Sequence, residues 1–228
     1  MRTHVLALVA GTALAVACGG SPTAPTERSR GATRLTRTRF MAFGDSLVVG
    51  DPATPQASWP VVLQARLRSQ FPSQASSIIV TNAGVGGERL TAGVLRFEEA
   101  FEAARPEAVL LMEGINDLLS LGPETSTTLL QFMSQQAMSR NARVFVASML
   151  PTVAGRRLSQ PVPNLELLNG RIEQMCRQQG AIYVDLYNAL LPEADAIIGS
   201  DGLHPTEAGY RRIADVFLSA IRSALEVR

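Results

Sequence analysis

The chain has 228 residues, 46% of them hydrophobic and 18% charged, which is the makeup of one globular domain with its own core and excludes a disordered polypeptide. All 21 basic residues are arginine, so Schiff-base chemistry, a Ser-Lys dyad and a P-loop lysine are excluded together. The net charge is +1 and the arginines are scattered, so nothing marks an electrostatic footprint for nucleic acid and no such partner is expected.

Taken from its start, the chain carries Arg2, an apolar run from Val5 to Ala17 and then Cys18, which reads as a signal peptide over residues 1–17. The run is too short to span a bilayer, and no later stretch reaches the roughly 18 apolar residues that spanning needs. The small residues before Cys18 are similar to a bacterial lipobox, which implies cleavage ahead of Cys18 and lipidation of its sulfur. Ala13-Leu-Ala and Ala15-Val-Ala also fit ordinary cleavage, so a lipoprotein of the cell envelope and a freely secreted form both stand. Membrane contact is expected only through that lipid anchor. Residues 18–38, rich in Ser, Thr, Pro, Gly and Arg, read as a flexible tether, with the folded domain over residues 39–228. Cys176 falls in a helical stretch and reads as a packed residue, and a lipidated Cys18 leaves it no disulfide partner.

From Arg39 onward, short apolar runs alternate with longer amphipathic stretches, the pattern of strand–helix repeats around a parallel sheet. Strands are expected at Arg39–Phe43, Ser77–Thr81, Ala108–Glu113, Arg143–Ser148 and Ala181–Asp185. Helices are expected at Ser58–Gln70, Ala92–Ala104, Glu124–Arg140, Leu165–Gln179 and Thr206–Val227. The fold class is therefore α/β, a three-layer α/β/α sandwich with a five-stranded parallel sheet and right-handed crossovers. Sites in such sheets form beyond the carboxyl ends of the strands. Ser46, the turn Gly84–Gly87, Asn116 and the pair Asp201/His204 all follow strands and so converge on one edge. The loop Pro151–Pro163 shows no period and is expected to border the substrate site.

Apart from His4 in the leader, His204 is the only histidine, and Asp201 precedes it by three residues. A serine hydroxyl needs a base to take its proton, and the base needs an acceptor on its other nitrogen. Ser46, His204 and Asp201 supply those roles. Pro205 keeps His204 out of helical geometry and is suited to the first position of the last helix. Oxyanion donors are on offer from the Ser46 amide, the glycine-rich turn and the Asn116 side chain. One histidine and one spare cysteine do not make the usual metal sites, and no metal or cofactor is expected. Asp45 and Asp117 read as turn-fixing residues, whereas Glu113 at a strand end points toward the site without an assigned role.

Four blocks in this order, Phe43-Gly-Asp-Ser-Leu47, Asn82-Ala-Gly-Val-Gly-Gly87, Gly114-Ile-Asn-Asp117 and Asp201-Gly-Leu-His-Pro-Thr-Glu-Ala-Gly-Tyr210, resemble the SGNH, or GDSL, hydrolase family across about residues 39–225. Trp59-Pro60 is similar to the segment opening the first long helix in its esterase and lysophospholipase branch. The resemblance implies a flavodoxin-like sandwich, with Ser46 as nucleophile, His204 as base and Asp201 as its partner. It also implies an oxyanion hole of Ser46, Gly87 and Asn116. The α/β-hydrolase elbow fits less well, because Val48 stands where its second glycine belongs.

The expected activity is an exported serine esterase that cleaves carboxylic acyl esters through an acyl-serine intermediate, acting as a monomer on small-molecule or lipid esters. The alternatives are an O-acetylesterase acting on acetylated glycans, and a non-catalytic surface lipoprotein that binds ligands in the same pocket.

Overall fold

The computed structural model describes residues 33–228. The expected signal peptide, the lipidation site Cys18 and the tether up to position 32 lie outside the described residues. Among the described residues, no helix is long and apolar enough to cross a membrane.

In chain order, the elements are β1 (Arg34–Leu35), β2 (Arg39–Gly44), α1 (Ser46–Val49), α2 (Trp59–Gln70), β3 (Ile79–Gly84), α3 (Leu90–Ala104), β4 (Ala108–Met112) and α4 (Gly122–Ser139). They continue with β5 (Arg143–Ala147), α5 (Val162–Gln179), β6 (Ile182–Val184), α6 (Leu186–Leu190), α7 (Ala194–Ile197), α8 (Glu207–Leu225) and β7 (Glu226–Val227). Five strands form an all-parallel sheet in the order β3-β2-β4-β5-β6. Helix α2 packs on α8 in one layer, and α3, α4 and α5 pack in series in the other. This is the expected three-layer sandwich. The strand order reverses between β2 and β4, which is where doubly wound sheets open a crevice for ligands.

Because both sheet faces are covered, the central strands are apolar throughout and do not alternate. Phe40–Phe43 and Val109–Met112 are fully buried, as are Phe145–Ala147. Helix α8 buries Tyr210, Ile213, Ala214, Phe217, Leu218 and Ile221 along one stripe. Its Phe217 stacks on Trp59 of α2, with ring centroids 4.4 Å apart and an interplanar angle of 11°. Such a pair adds about 0.5–1.5 kcal/mol beyond its buried area. Cys176 lies in the α5 core face, where burial, with Glu173 nearby, pushes its thiol up to about 12.

Three expectations are adjusted. The strand expected at Ser77–Thr81 lies at Ile79–Gly84, because Thr81, Asn82, Ala83 and Gly84 pair with Met41–Gly44 through backbone alone. That shift carries the glycine turn to the strand's carboxyl end. The last part of the expected tether is ordered: Arg34–Leu35 pairs antiparallel with Glu226–Val227, Leu35 is buried, and Gln74 brackets its amide and carbonyl at 2.7 and 3.0 Å. The same pairing ends α8 at Leu225 rather than Val227.

Candidate active site

Ser46 owes its place to the residues before it. Gly44 ends β2 at φ +155°, and a Cβ there would sit 1.8 Å from the Met112 carbonyl oxygen, so the chain turns only through glycine. Asp45 caps α1, with its Oδ1 accepting the Leu47 amide at 2.9 Å. Gly50 then ends the four-residue helix at φ +102°. Ser46 is left at the tip of the first central strand, 6% exposed.

From a position 158 residues later in sequence, His204 Nε2 stands 2.9 Å from Ser46 Oγ. His204 Nδ1 lies 2.7 Å from Asp201 Oδ2, while Asp201 Oδ1 accepts the amides of Leu203 and His204, both at 3.0 Å. Burial pushes the Asp201 carboxyl upward, but the Leu203 amide, the imidazole and the His204 amide together hold it below its ordinary range. It therefore stays anionic beside the ring. Pro205 does not open α8: it bridges to Ile198, and Thr206 caps the helix by accepting the Gly209 amide at 3.3 Å.

Ser46, Gly87, Asn116, Asp201 and His204 line one cleft of about 340 Å³. Gly87 has φ +70°, and Asn116 lies in the 3-10 turn Ile115–Asp117. One hydrogen of the Asn116 amide goes to the Glu88 carbonyl at 2.8 Å, which orients the group and leaves its second hydrogen for a ligand. Asp117 Oδ2 accepts the Leu90 amide at 2.8 Å and fixes the turn to the start of α3. The rest of the cleft is Asp51, Pro52, Leu158, Gln160 and Leu203.

Behind these donors sits a group of buried carboxyls. Glu113 is fully buried and does not line the cleft, contrary to its expected direction. Its carboxyl packs against Gly93 of α3, where a Cβ would come within 2.4 Å of Oε1. Burial, then the neighbouring charges of Asp45 and Glu88, push Glu113 up to about 9. Burial likewise pushes Asp45 up to about 7 and raises Asp117. Glu88 is ion-paired, accepting from Arg96 Nε at 2.8 Å while the guanidinium lies 4.2 Å from the centre of the Phe43 ring. Among the described residues, no group of His, Cys, Asp and Glu side chains is placed to hold a metal ion.

The model of the GDSL-like lipase/acylhydrolase family matches residues 42–212, which takes in all four blocks. The chain belongs to this family. A lipase/acylhydrolase from Enterococcus faecalis is 24% identical with a TM-score of 0.70, over 82% of this chain and 97% of that one. TesA is 22% identical with a TM-score of 0.67, over 81% and 98%. Axe2, an acetylxylan esterase from Geobacillus stearothermophilus, is 17% identical with a TM-score of 0.68, over 82% and 94%. No curated protein matches the chain.

Within this GDSL-like hydrolase, several side chains escaped sequence reasoning. Tyr210 is buried and donates from its hydroxyl to the Asp51 carbonyl at 2.5 Å, which pins the Asp51–Pro52 wall to α8. Leu158 and Gln160 bring the expected border loop into the cleft. The Glu88–Arg96 pair had a faint signal, eight residues apart across the start of an amphipathic helix.

Proposed function

We propose that this chain is an exported serine esterase that cleaves carboxylic acyl esters through an acyl-enzyme on Ser46. The observation carrying the reading is the chain of contacts from Ser46 Oγ to His204 Nε2 at 2.9 Å and from His204 Nδ1 to Asp201 Oδ2 at 2.7 Å, opening on a cleft that also holds Gly87 and Asn116. His204 takes the serine proton as Oγ attacks the acyl carbon, and Asp201 steadies the imidazolium that forms. The negative charge on the former carbonyl oxygen meets the amides of Ser46 and Gly87 and the Asn116 side chain, each donor being worth about 10²-fold or more in rate. The imidazolium then protonates the leaving alcohol, and water activated by the same ring releases the acid. The chemistry needs no cofactor.

Pro52, Leu158 and Leu203 give the cleft apolar walls for a short acyl chain, with Asp51 and Gln160 as polar contacts for the alcohol. The same polar residues are also compatible with a second reading within the same chemistry, removal of O-acetyl groups from a glycan. Export rests on the leader, with anchoring through Cys18 or free secretion, and the compact domain works as a monomer.

The test is turnover of p-nitrophenyl esters of increasing chain length beside acetylated xylan. Ser46→Ala is expected to lower kcat by roughly 10⁶-fold. A fluorophosphonate probe should label the wild type and not the variant. Equal turnover by the two proteins refutes the serine mechanism, and preference for xylan over the acetyl ester selects the second reading.

A further inference from the structure

We propose that Arg156 is a positioning residue for the acid–base turn, acting through the backbone carbonyls of Ile198 and Gly199. The inference rests on the catalytic reading of Asp201 and His204 given above.

Arg156 lies in the loop between β5 and α5, outside the cleft lining, so it does not reach a substrate held there. Its Nη1 donates to the Ile198 carbonyl at 2.8 Å and the Gly199 carbonyl at 3.0 Å, the acceptors just past the end of α7. Nη2 adds a long contact to the Asp195 carbonyl at 3.4 Å and lies 3.8 Å from that residue's exposed carboxylate. Gly199 is one bond from the base, since its amide donates to the His204 carbonyl at 2.7 Å. Its carbonyl also accepts the Gly202 amide at 3.0 Å, closing the turn that presents Asp201. Arg156 thus holds the strip of backbone from which both catalytic side chains project.

The loop reinforces this hold. Val153 donates to the Gly202 carbonyl at 3.0 Å, and Leu158 donates to the Asp201 carbonyl at 2.7 Å. Gly202 adopts φ +88°, and a Cβ there would meet Arg156 Cβ at 2.5 Å, so the loop lies directly on the turn. Leu158 and Gln160 of the same loop line the cleft. The substrate wall and the acid–base turn are therefore one clamped piece of surface. A guanidinium suits the task because its fixed planar geometry aims Nη1 at both carbonyls, and charge-assisted bonds are stronger than neutral ones. Precision matters here, because displacing a reacting group by about 1 Å costs on the order of 10²-fold.

The experiment uses the purified protein with p-nitrophenyl acetate and compares wild type, Arg156→Met and Arg156→Lys, with melting temperatures beside the kinetics. Arg156→Met is expected to lower kcat by about 10- to 100-fold with KM within about twofold. Arg156→Lys, whose ammonium still meets one carbonyl, is expected to fall between Met and wild type. A folded Met variant with wild-type kcat overturns the proposal, as does a loss confined to KM. A Lys variant no better than Met also overturns it, because lost donation to the carbonyls is then not the cause. If the Met variant does not fold, the Lys variant carries the test: a kcat-selective loss relative to wild type supports the proposal and wild-type kcat overturns it. Fluorophosphonate labelling of wild-type Ser46 tests the serine reading separately, so its failure is distinguishable from failure at Arg156.

Discussion

The two halves of the site are fixed by different means. The serine half sits on β2 and β4 at the centre of the sheet, with Gly44 wedged against the Met112 carbonyl and fully buried Asp45 and Glu113 behind it. The Asp201–His204 half lies in an irregular stretch between α7 and α8, where the two side chains are 23% and 18% exposed, Asp201 accepts the Leu203 and His204 amides, and Arg156 holds the preceding Ile198 and Gly199 carbonyls. The Gly44 wedge is the main hold on the first half, assisted by the Asp45, Asn116 and Asp117 hydrogen bonds, and polar contacts are the main hold on the second. Disrupting the packing of the first should therefore appear mainly as lost stability, whereas loosening the second, or removing a reacting group from either, should appear as lost rate.

Gly44→Ala gives the largest expected effect on this contrast after Ser46→Ala itself. The added methyl meets a backbone oxygen in the left-handed region, and the loss is expected to exceed about 3 kcal/mol in urea unfolding. An unchanged denaturation midpoint would show that the strand end yields and would remove the distinction. Asn116→Ala probes a donor within the rigid half: kcat should fall roughly 10²-fold, or about 2.7 kcal/mol, with the melting temperature nearly unchanged. A large melting shift would instead make its bond to the Glu88 carbonyl the main function of that amide.

The smallest expected effect concerns Glu113, whose folded pKa of about 9 stands above its ordinary 4.5. The protonated form is the one that fits, so its contribution is fully present below pH 4.5 and is lost as pH rises through about 9. Glu113→Gln should match the wild type near pH 4 and be the more stable of the two by pH 8. Melting curves at the two pH values check this, and a gain at pH 4 equal to that at pH 8 would rule out ionisation as the cause.

The same contrast explains what the sequence disclosed. The buried strands read as apolar runs, and Ser46, the glycine turn and Asn116 are legible because each directly follows one. Asp201 and His204 are legible because they lie three residues apart in one turn. Arg156 and Tyr210 were not, since their partners are backbone carbonyls of residues 42 and 159 positions away, and a carbonyl leaves no mark in residue type. The direction of Glu113 failed for a related reason. A place at a strand end cannot tell a cleft from a niche, and the niche exists only because Gly93 on α3 lacks a side chain. The β1–β7 pairing is two residues long, too short to show a period.

That small pairing also decides how the molecule can be handled. It gathers Arg34 and Val227 at the far end of α8, whose 19 residues at about 1.5 Å each put roughly 28 Å between that corner and the turn bearing His204. Grafting the domain to a bead or a fusion partner through either extremity therefore keeps the cleft mouth turned to the bulk solution, where bulky polymeric esters have room to approach.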